Sequence, residues 1–236
     1  MQPESRVSAS GRSSHSPDLE GTLRNGLDTL ELPLPDDAVA RLLAYLKLLA
    51  KWNAVYNLTA VRDPHAMLVQ HVLDSLAVVR PLRAALDLDH ARIADVGSGA
   101  GLPGLVFAIT CPQAQVLSIE PVGKKTAFQQ QAAAELALTN VEIFTGRAEA
   151  VSRPVDLVVS RAFAALADFI TACTGLIGPT TIVAALKGQR AGIDAECAAL
   201  PASCQVEIAP VTVPGLAAQR HLVLMRCAQT HPSACA

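Results

Sequence analysis

The segment Ile93-Ala94-Asp95-Val96-Gly97-Ser98-Gly99-Ala100-Gly101-Leu102-Pro103-Gly104 sets a short apolar strand directly before a glycine-rich turn. Glycines permit a sharp turn and let a ligand lie against bare backbone near the start of the following helix. Three kinds of turn compete for this pattern. A phosphate-cradling loop needs Gly-Lys-Ser/Thr, which is absent. A dinucleotide turn spaces its glycines GxGxxG, whereas here they run GxGxG with the next only at Gly104. An acid immediately before the turn, as Asp95 is, suits S-adenosylmethionine, whose ammonium charge a nearby carboxylate offsets. The turn therefore nominates Asp95, Gly97, Gly99 and Gly101 as cofactor-binding residues.

The next strand ends in Ile119-Glu120, where a carboxylate can accept hydrogen bonds from both ribose hydroxyls of a nucleoside. That geometry alone would also suit NAD; the glycine spacing and Asp95 tilt the choice towards a methyl donor. A third strand leads to Gly146-Arg147-Ala148-Glu149, a place for an adenine edge. A fourth, from Asp156, brings Ser160 and Arg161 to the crevice at the carboxyl ends of the strands, and a fifth brings Lys187 and Arg190 to the same rim. With Lys124, Lys125 and Arg220 these cations form a candidate phosphate grip. No nucleophilic Cys or Ser motif flanks the turn, and no Asn-Pro-Pro-Tyr motif for adenine N6 transfer is present.

These groups must be carried by ordered elements. Asp36 to Lys51 places Val39, Leu42, Leu43, Leu46 and Leu49 at helical spacing, with Pro35 where a helix can begin. Lys51 to Thr59 reads as a compact aromatic and polar linker, and a second helix, about Pro64 to Val79, is stopped by Pro81 and carries His71 and Asp74 on one face. From Arg92 strands (93–96, 115–119, 141–144, 156–160, 181–186) alternate with helices (102–109, 124–138, 166–176), and Gln205–Val213 with His221–Arg226 closes the chain as a hairpin-like pair. Such alternation predicts an α/β fold, a mostly parallel sheet with helices on both faces. The domain reading is a disordered tail over 1–34, a helical cap over 35–90, a cofactor-binding domain over 91–228 and a frayed tail over 229–236.

At 236 residues, 51% hydrophobic and 17% charged, the chain can bury one full α/β core and an extension. Its net charge of -2 gives no general signal for nucleic acid, and residues 1–90 carry 9 Lys/Arg against 11 Asp/Glu, so any RNA contact rests on a local patch. The cysteines (Cys111, Cys173, Cys197, Cys204, Cys227, Cys235) show no metal-ligand spacing, which predicts free thiols and no metal site. The Ser-rich start has no apolar core of a signal peptide, and the uncharged runs Leu102 to Ile119 and Phe169 to Leu186 read as buried helix–strand pairs rather than membrane spans. A cytoplasmic protein, with nothing demanding more than a monomer, is expected.

The strings KWNAVYNLTAVRDP, HVLDS, DVGSGAGLPG, SRAFA, ALKGQ and RHLV resemble the glucose-inhibited division protein B family, over about residues 36 to 227. These are bacterial methyltransferases acting on N7 of a guanine in 16S, small-subunit, ribosomal RNA. The resemblance implies a Rossmann-like seven-stranded methyltransferase sheet with an N-terminal helical extension. It also implies that Gly97, Leu102, Ala148, Glu149 and Arg161 contact S-adenosylmethionine, that Glu120 holds its ribose, and that His71, Asp74 and Ser75 lie near the pocket mouth. Pro121 departs from the small polar residue usual in the family. N7 carries no proton, so no general base is required, and catalysis should be positioning plus electrostatics, with Arg161 ordering the pocket and Lys187, Arg190 and Arg220 holding RNA. A near-neutral protein binds naked RNA weakly, which points to a ribosomal particle as substrate. Trp52, Tyr56 and Phe163 are the candidate stacking partners for the base, Trp52 and Tyr56 reading first as core residues joining cap to sheet. The rivals are a methyltransferase for a small molecule or protein, an NAD-dependent oxidoreductase, and a non-catalytic RNA-binding factor.

Overall fold

In the computed structural model, which describes residues 18–161, 163 and 165–227, seven strands form one sheet in the order β3-β2-β1-β4-β5-β7-β6. The strands are β1 (Arg92–Val96), β2 (Gln115–Glu120), β3 (Val141–Thr145), β4 (Val155–Ser160), β5 (Ile177–Lys187), β6 (Cys204–Val211) and β7 (Arg220–Cys227). The first five run parallel, and β7 runs antiparallel to both β5 and β6. The apolar runs of the central strands follow from burial on both faces. Ile93, Leu157 and Ile182 join one core, while their neighbours Ala94, Val158 and Val183 join the other. The α/β expectation holds, and the antiparallel closing pair with it.

Helices cover the two faces unequally. Helices α1 (Leu19–Thr29), α2 (Asp36–Tyr56), α3 (Pro64–Met67), α4 (Asp74–Leu76) and α5 (Val79–Ala85) share a core with α6 (Gly104–Thr110) and α7 (Gly123–Glu135). Helices α8 (Leu166–Ala172) and α9 (Arg190–Ala198) pack on the opposite face through Leu166, Phe169 and Ile193. The amino-terminal helices thus lie on the sheet that carries the glycine turn, in one continuous core with it.

Several expectations need correction. Part of the expected disordered tail is α1: Leu23 and Leu27, one turn apart, are buried, and Gly26 lets the helix approach Leu73 so closely that a Cβ would come within 2.6 Å of it. Residues 1–17 and 228–236, the remainder of the two expected tails, lie outside the described residues. Helix α2 runs on through the expected linker to Tyr56 and ends at Asn57 in the left-handed conformation, φ 50°. The expected second helix is interrupted by a π-helical turn, Leu68–Leu73, and Pro81 does not stop it. Pro81 sits in the first turn of α5, where a missing N–H costs nothing. Helix α9 was not expected, Ile193 being its one large apolar residue. Cys204 and Cys227, expected as free thiols, form a disulfide, because the β6–β7 register sets them directly opposite. Among the described residues no helix is long and apolar enough to cross a membrane, and no group of three or more His, Cys, Asp or Glu could hold a metal ion.

Candidate active site

Strand β1 delivers Asp95 to the start of the glycine turn, fully buried. Gly97, Gly99 and Gly101 all take left-handed φ values, 68°, 60° and 83°, which L side chains adopt only under strain. Around Gly97 and Gly99 a Cβ would meet nothing within 4 Å, so open space lies beside the bare backbone. Gly104 differs: its Cβ would lie 2.7 Å from Asp95 Oδ2, to which its own N–H donates at 2.7 Å. Asp95 therefore ties the strand to the start of α6. Burial pushes its carboxyl up to about 7, against the pull of the Gly104 N–H and the Arg161 charge. Its Oδ1 is, among the described residues, the one buried side-chain polar atom without a partner.

Glu120, at the end of β2, is 3% exposed and accepts hydrogen bonds from the N–H groups of Gly99 (2.8 Å) and Val122 (3.0 Å). Each carboxylate oxygen keeps a further lone pair. Gly97 and Ser98 donate their N–H groups to the Ile119 carbonyl. Beyond Glu120, β3 leads into a 3₁₀ turn, Ala148–Ala150, with Ala148 buried and Glu149 exposed. Asp95, the glycines, Leu102, Glu120, Ala148 and Glu149 thus gather along the carboxyl edge of β1, β2 and β3. A bare glycine cradle, a carboxylate at the end of the neighbouring strand and an unpartnered buried carboxylate oxygen together fit a cationic nucleoside cofactor.

Three residues that sequence reading did not single out hold the turn in shape. Tyr45 of α2, wholly buried, donates its hydroxyl to the Ala100 carbonyl at 2.8 Å. Gln129 of α7 donates through Nε2 to Ser98 Oγ and to the Gly99 carbonyl, both at 2.8 Å. Ser118 Oγ lies 2.7 Å from Ser98 Oγ and 2.5 Å from Gln129 Oε1, closing the network. Nothing local marks these residues, since each acts on a turn distant in sequence. Tyr45→Phe keeps the ring packing against Phe128 but strands a buried carbonyl. We expect a loss of about 1–2 kcal/mol in chemical denaturation, with weaker cofactor binding in calorimetry; unchanged stability would show the hydroxyl to be dispensable.

The remaining predicted residues meet elsewhere. Arg161, just past β4, donates through Nη1 to the Gln70 carbonyl (2.9 Å) and lies 3.3 Å from His71 Nδ1 and 3.4 Å from Asp74 Oδ2. Arg220, opening β7, donates through Nε to Asp74 Oδ1 at 2.8 Å. A guanidinium only donates, so His71 Nδ1 accepts and its Nε2 hydrogen goes to Thr59 Oγ1, 2.8 Å away. Burial and then the Arg161 charge push His71 down to about 4, leaving it neutral at pH 7. Asp74 is 4% exposed, and Ser75, fully buried, donates to the His71 carbonyl. His71, Asp74, Arg161, Lys187 and Arg220 bound a cavity of about 270 Å³.

The basic residues do not form one free patch. Lys187 Nζ donates to the Phe163 carbonyl and pairs with Glu196 at 2.8 Å, so its charge is met inside the fold. Lys124 reaches the Tyr56 carbonyl at 3.0 Å, Lys125 lies 3.9 Å from Glu120, and exposed Arg190 pairs with Asp194. Trp52 packs on Phe128 as expected of a core residue, whereas Tyr56, expected beside it in the core, is 44% exposed, being the last residue of α2. Phe163 stacks on Phe169. A second cavity, about 340 Å³ around Arg92, Asn140 and Arg153, lies at the amino ends of the strands, away from all of these groups.

A family model described as GidB, rRNA small subunit methyltransferase G, matches residues 38–223. Similar relatives named ribosomal RNA small subunit methyltransferase G include one from Acidovorax ebreus (strain TPSY), 47% identical over 218 residues, covering 88% of this chain and 95% of that one. Another, from Burkholderia multivorans (strain ATCC 17616 / 249), is 48% identical over 212 residues, covering 87% and 91%. Among solved structures, a SAM dependent methyltransferase from Aquifex aeolicus shares the fold, with a TM-score of 0.53 at 16% identity over 70% of this chain and 94% of that one.

Proposed function

Because this chain belongs to the GidB family of rRNA small subunit methyltransferases G, we infer that it moves the methyl group of S-adenosylmethionine to N7 of a guanine in 16S ribosomal RNA. The observation that carries the N7 assignment is that the histidine beside the cavity is already engaged. His71 is neutral with Arg161 and Thr59 on its two ring nitrogens. An acceptor atom that must lose a proton would call on an imidazole with a nitrogen free to take it. N7 has a lone pair and no proton, so attack leaves nothing to remove, and the positive charge passes from sulfur to the purine. The protein's share is then positioning and charge accommodation.

The cofactor supplies an already activated methyl. Gly97, Gly99, Gly101, Leu102 and Ala148 form its cradle, Glu120 and Glu149 take its polar groups, Asp95 answers its positive charge and Arg161 borders its reactive end. Lys124, Lys125 and Arg190 contact the RNA backbone, with Lys187 and Arg220 at the cavity wall. We place the reaction on a small-subunit particle in the cytoplasm, by a monomer. The test is transfer of radiolabelled methyl to small subunits, and to naked RNA beside them, from a strain lacking the enzyme. Label in N7-methylguanine, greater on particles, is expected; no label there would refute the assignment.

Asp95 gives the cofactor reading its own test. With its carboxyl near 7, a bound cation must ionise it, so binding at pH 6 should release protons and weaken by up to about tenfold per pH unit below 7. At pH 8 neither effect remains. Calorimetry in two buffers of different ionisation heat measures the release, and equal heats at pH 6 would exclude it.

A further inference from the structure

The cavity bounded by His71, Asp74, Arg161 and Arg220 sets two guanidiniums against a buried carboxylate. A phosphate is ringed by acceptors, and Asp74 would repel it. A nucleobase presents donors and acceptors in a fixed order, and such a mixed lining can read that order. The order here runs outward along the sheet. Arg161 follows β4, the strand beside β1, and its charge is felt by Asp95 under the turn. Asp74 comes next, touching Arg161 on one oxygen, and Arg220, on β7 two strands further out, takes the other.

In guanine the O6 acceptor lies beside N7 and the N1–H donor lies beyond it. In adenine the order is reversed, an amino donor beside N7 and then an acceptor at N1. With N7 turned to the cofactor, guanine sets O6 on Arg161 and N1–H on Asp74. Adenine would oppose donor to donor and acceptor to acceptor. Arg161 commits only Nη1 to the cap, leaving other N–H groups for O6, while Arg220 holds the carboxylate in place. We propose that this cavity receives the target base and that Arg161 and Asp74 select guanine by its O6 and N1–H positions.

This rests on the function inferred above, and the test separates the two. Small subunits are rebuilt with guanine, inosine or 2-aminopurine at the labelled position. Inosine keeps O6 and N1–H; 2-aminopurine has neither. The wild-type enzyme should methylate inosine within about threefold of guanine and 2-aminopurine at least ~100-fold more slowly. Asp74→Asn should lower transfer to guanine, shrink the guanine to 2-aminopurine ratio to below about fivefold, and keep S-adenosylmethionine affinity within about threefold. A merely structural role would slow both acceptors alike and leave the ratio intact. Should Asp74→Asn fail to fold, the wild-type series decides alone: equal rates on guanine and 2-aminopurine overturn the proposal. Label in no guanine at all overturns the functional reading beneath it.

Discussion

A Gly97→Ala enzyme should fold and yet bind S-adenosylmethionine on the order of 100-fold more weakly, a difference of about 3 kcal/mol. The position takes φ 68°, so a Cβ imposes left-handed strain, about 1–2 kcal/mol of stability. It meets nothing within 4 Å, so no protein atom need move. What the methyl does occupy is the open space beside the turn, where the cofactor is to lie. Gly104→Ala is the control. There the added carbon presses on buried Asp95, an overpacked site that should lose about 1–3 kcal/mol of stability through displaced neighbours. Denaturation curves and calorimetric titration on both variants separate the effects. If Gly97→Ala bound cofactor as tightly as the parent, the space beside Gly97 would not be the cofactor site.

How far the site could be read beforehand depended on whether its parts are local. Asp95, the three glycines and Glu120 stand at strand ends, and strand, turn and spacing are all visible within one stretch of chain. The sheet was legible for the same reason, its apolar runs alternating with helical ones. The residues that brace the turn were not. Tyr45 sits among leucines on an amphipathic helix, and Gln129 in a run of three glutamines; each acquires its role from a carbonyl some 55 and 30 residues away. The sequence offers Lys187 as a phosphate contact, but a largely buried amine close to Glu196 is already answered. Helix α1 was hidden because it is mostly polar and is held by Leu23, Leu27 and a glycine that admits Leu73. The cysteine pair was hidden because strand register, not spacing, brings the two together.

These contacts also alter how the amino-terminal helices should be regarded. A cap that merely roofed the pocket would touch the sheet through apolar surface. Here α2 bonds the glycine turn through Tyr45, and the π-helical turn supplies the acceptors that hold Arg161. An extra residue in a helical turn is a frequent device at functional sites, and in this chain it lies between Met67 and Asp74, where His71 and the Gln70 carbonyl face one guanidinium. The glycine turn and the Arg161–Asp74 cluster are therefore both tied to the amino-terminal helices.

Arg161→Ala should accordingly reduce methyl transfer more than it reduces folding. The side chain is about a quarter exposed and its Nη1 serves the Gln70 carbonyl, His71 and Asp74 together. Removing it strips one of two cations from buried Asp74. Complete loss of partners would cost about 3–5 kcal/mol, but Arg220 remains, so about 1–3 kcal/mol of stability is expected. Transfer should fall by about 100-fold in kcat/KM, the scale for losing a group that positions the acceptor base. Arg161→Lys keeps the charge without the planar fork and should lie between. His71 provides an independent readout. Its value, held near 4 by burial and by Arg161, should rise when that charge is removed, visibly in an NMR titration. The sign of the linked effect follows. A histidine depressed in the folded state takes its proton first in the unfolded chain, so stability drains as pH falls from about 6.5 towards 4. In Arg161→Ala the lower end of that window moves up, and acidification should cost less. A variant with cofactor affinity, transfer rate and His71 titration all unchanged would remove Arg161 from the site.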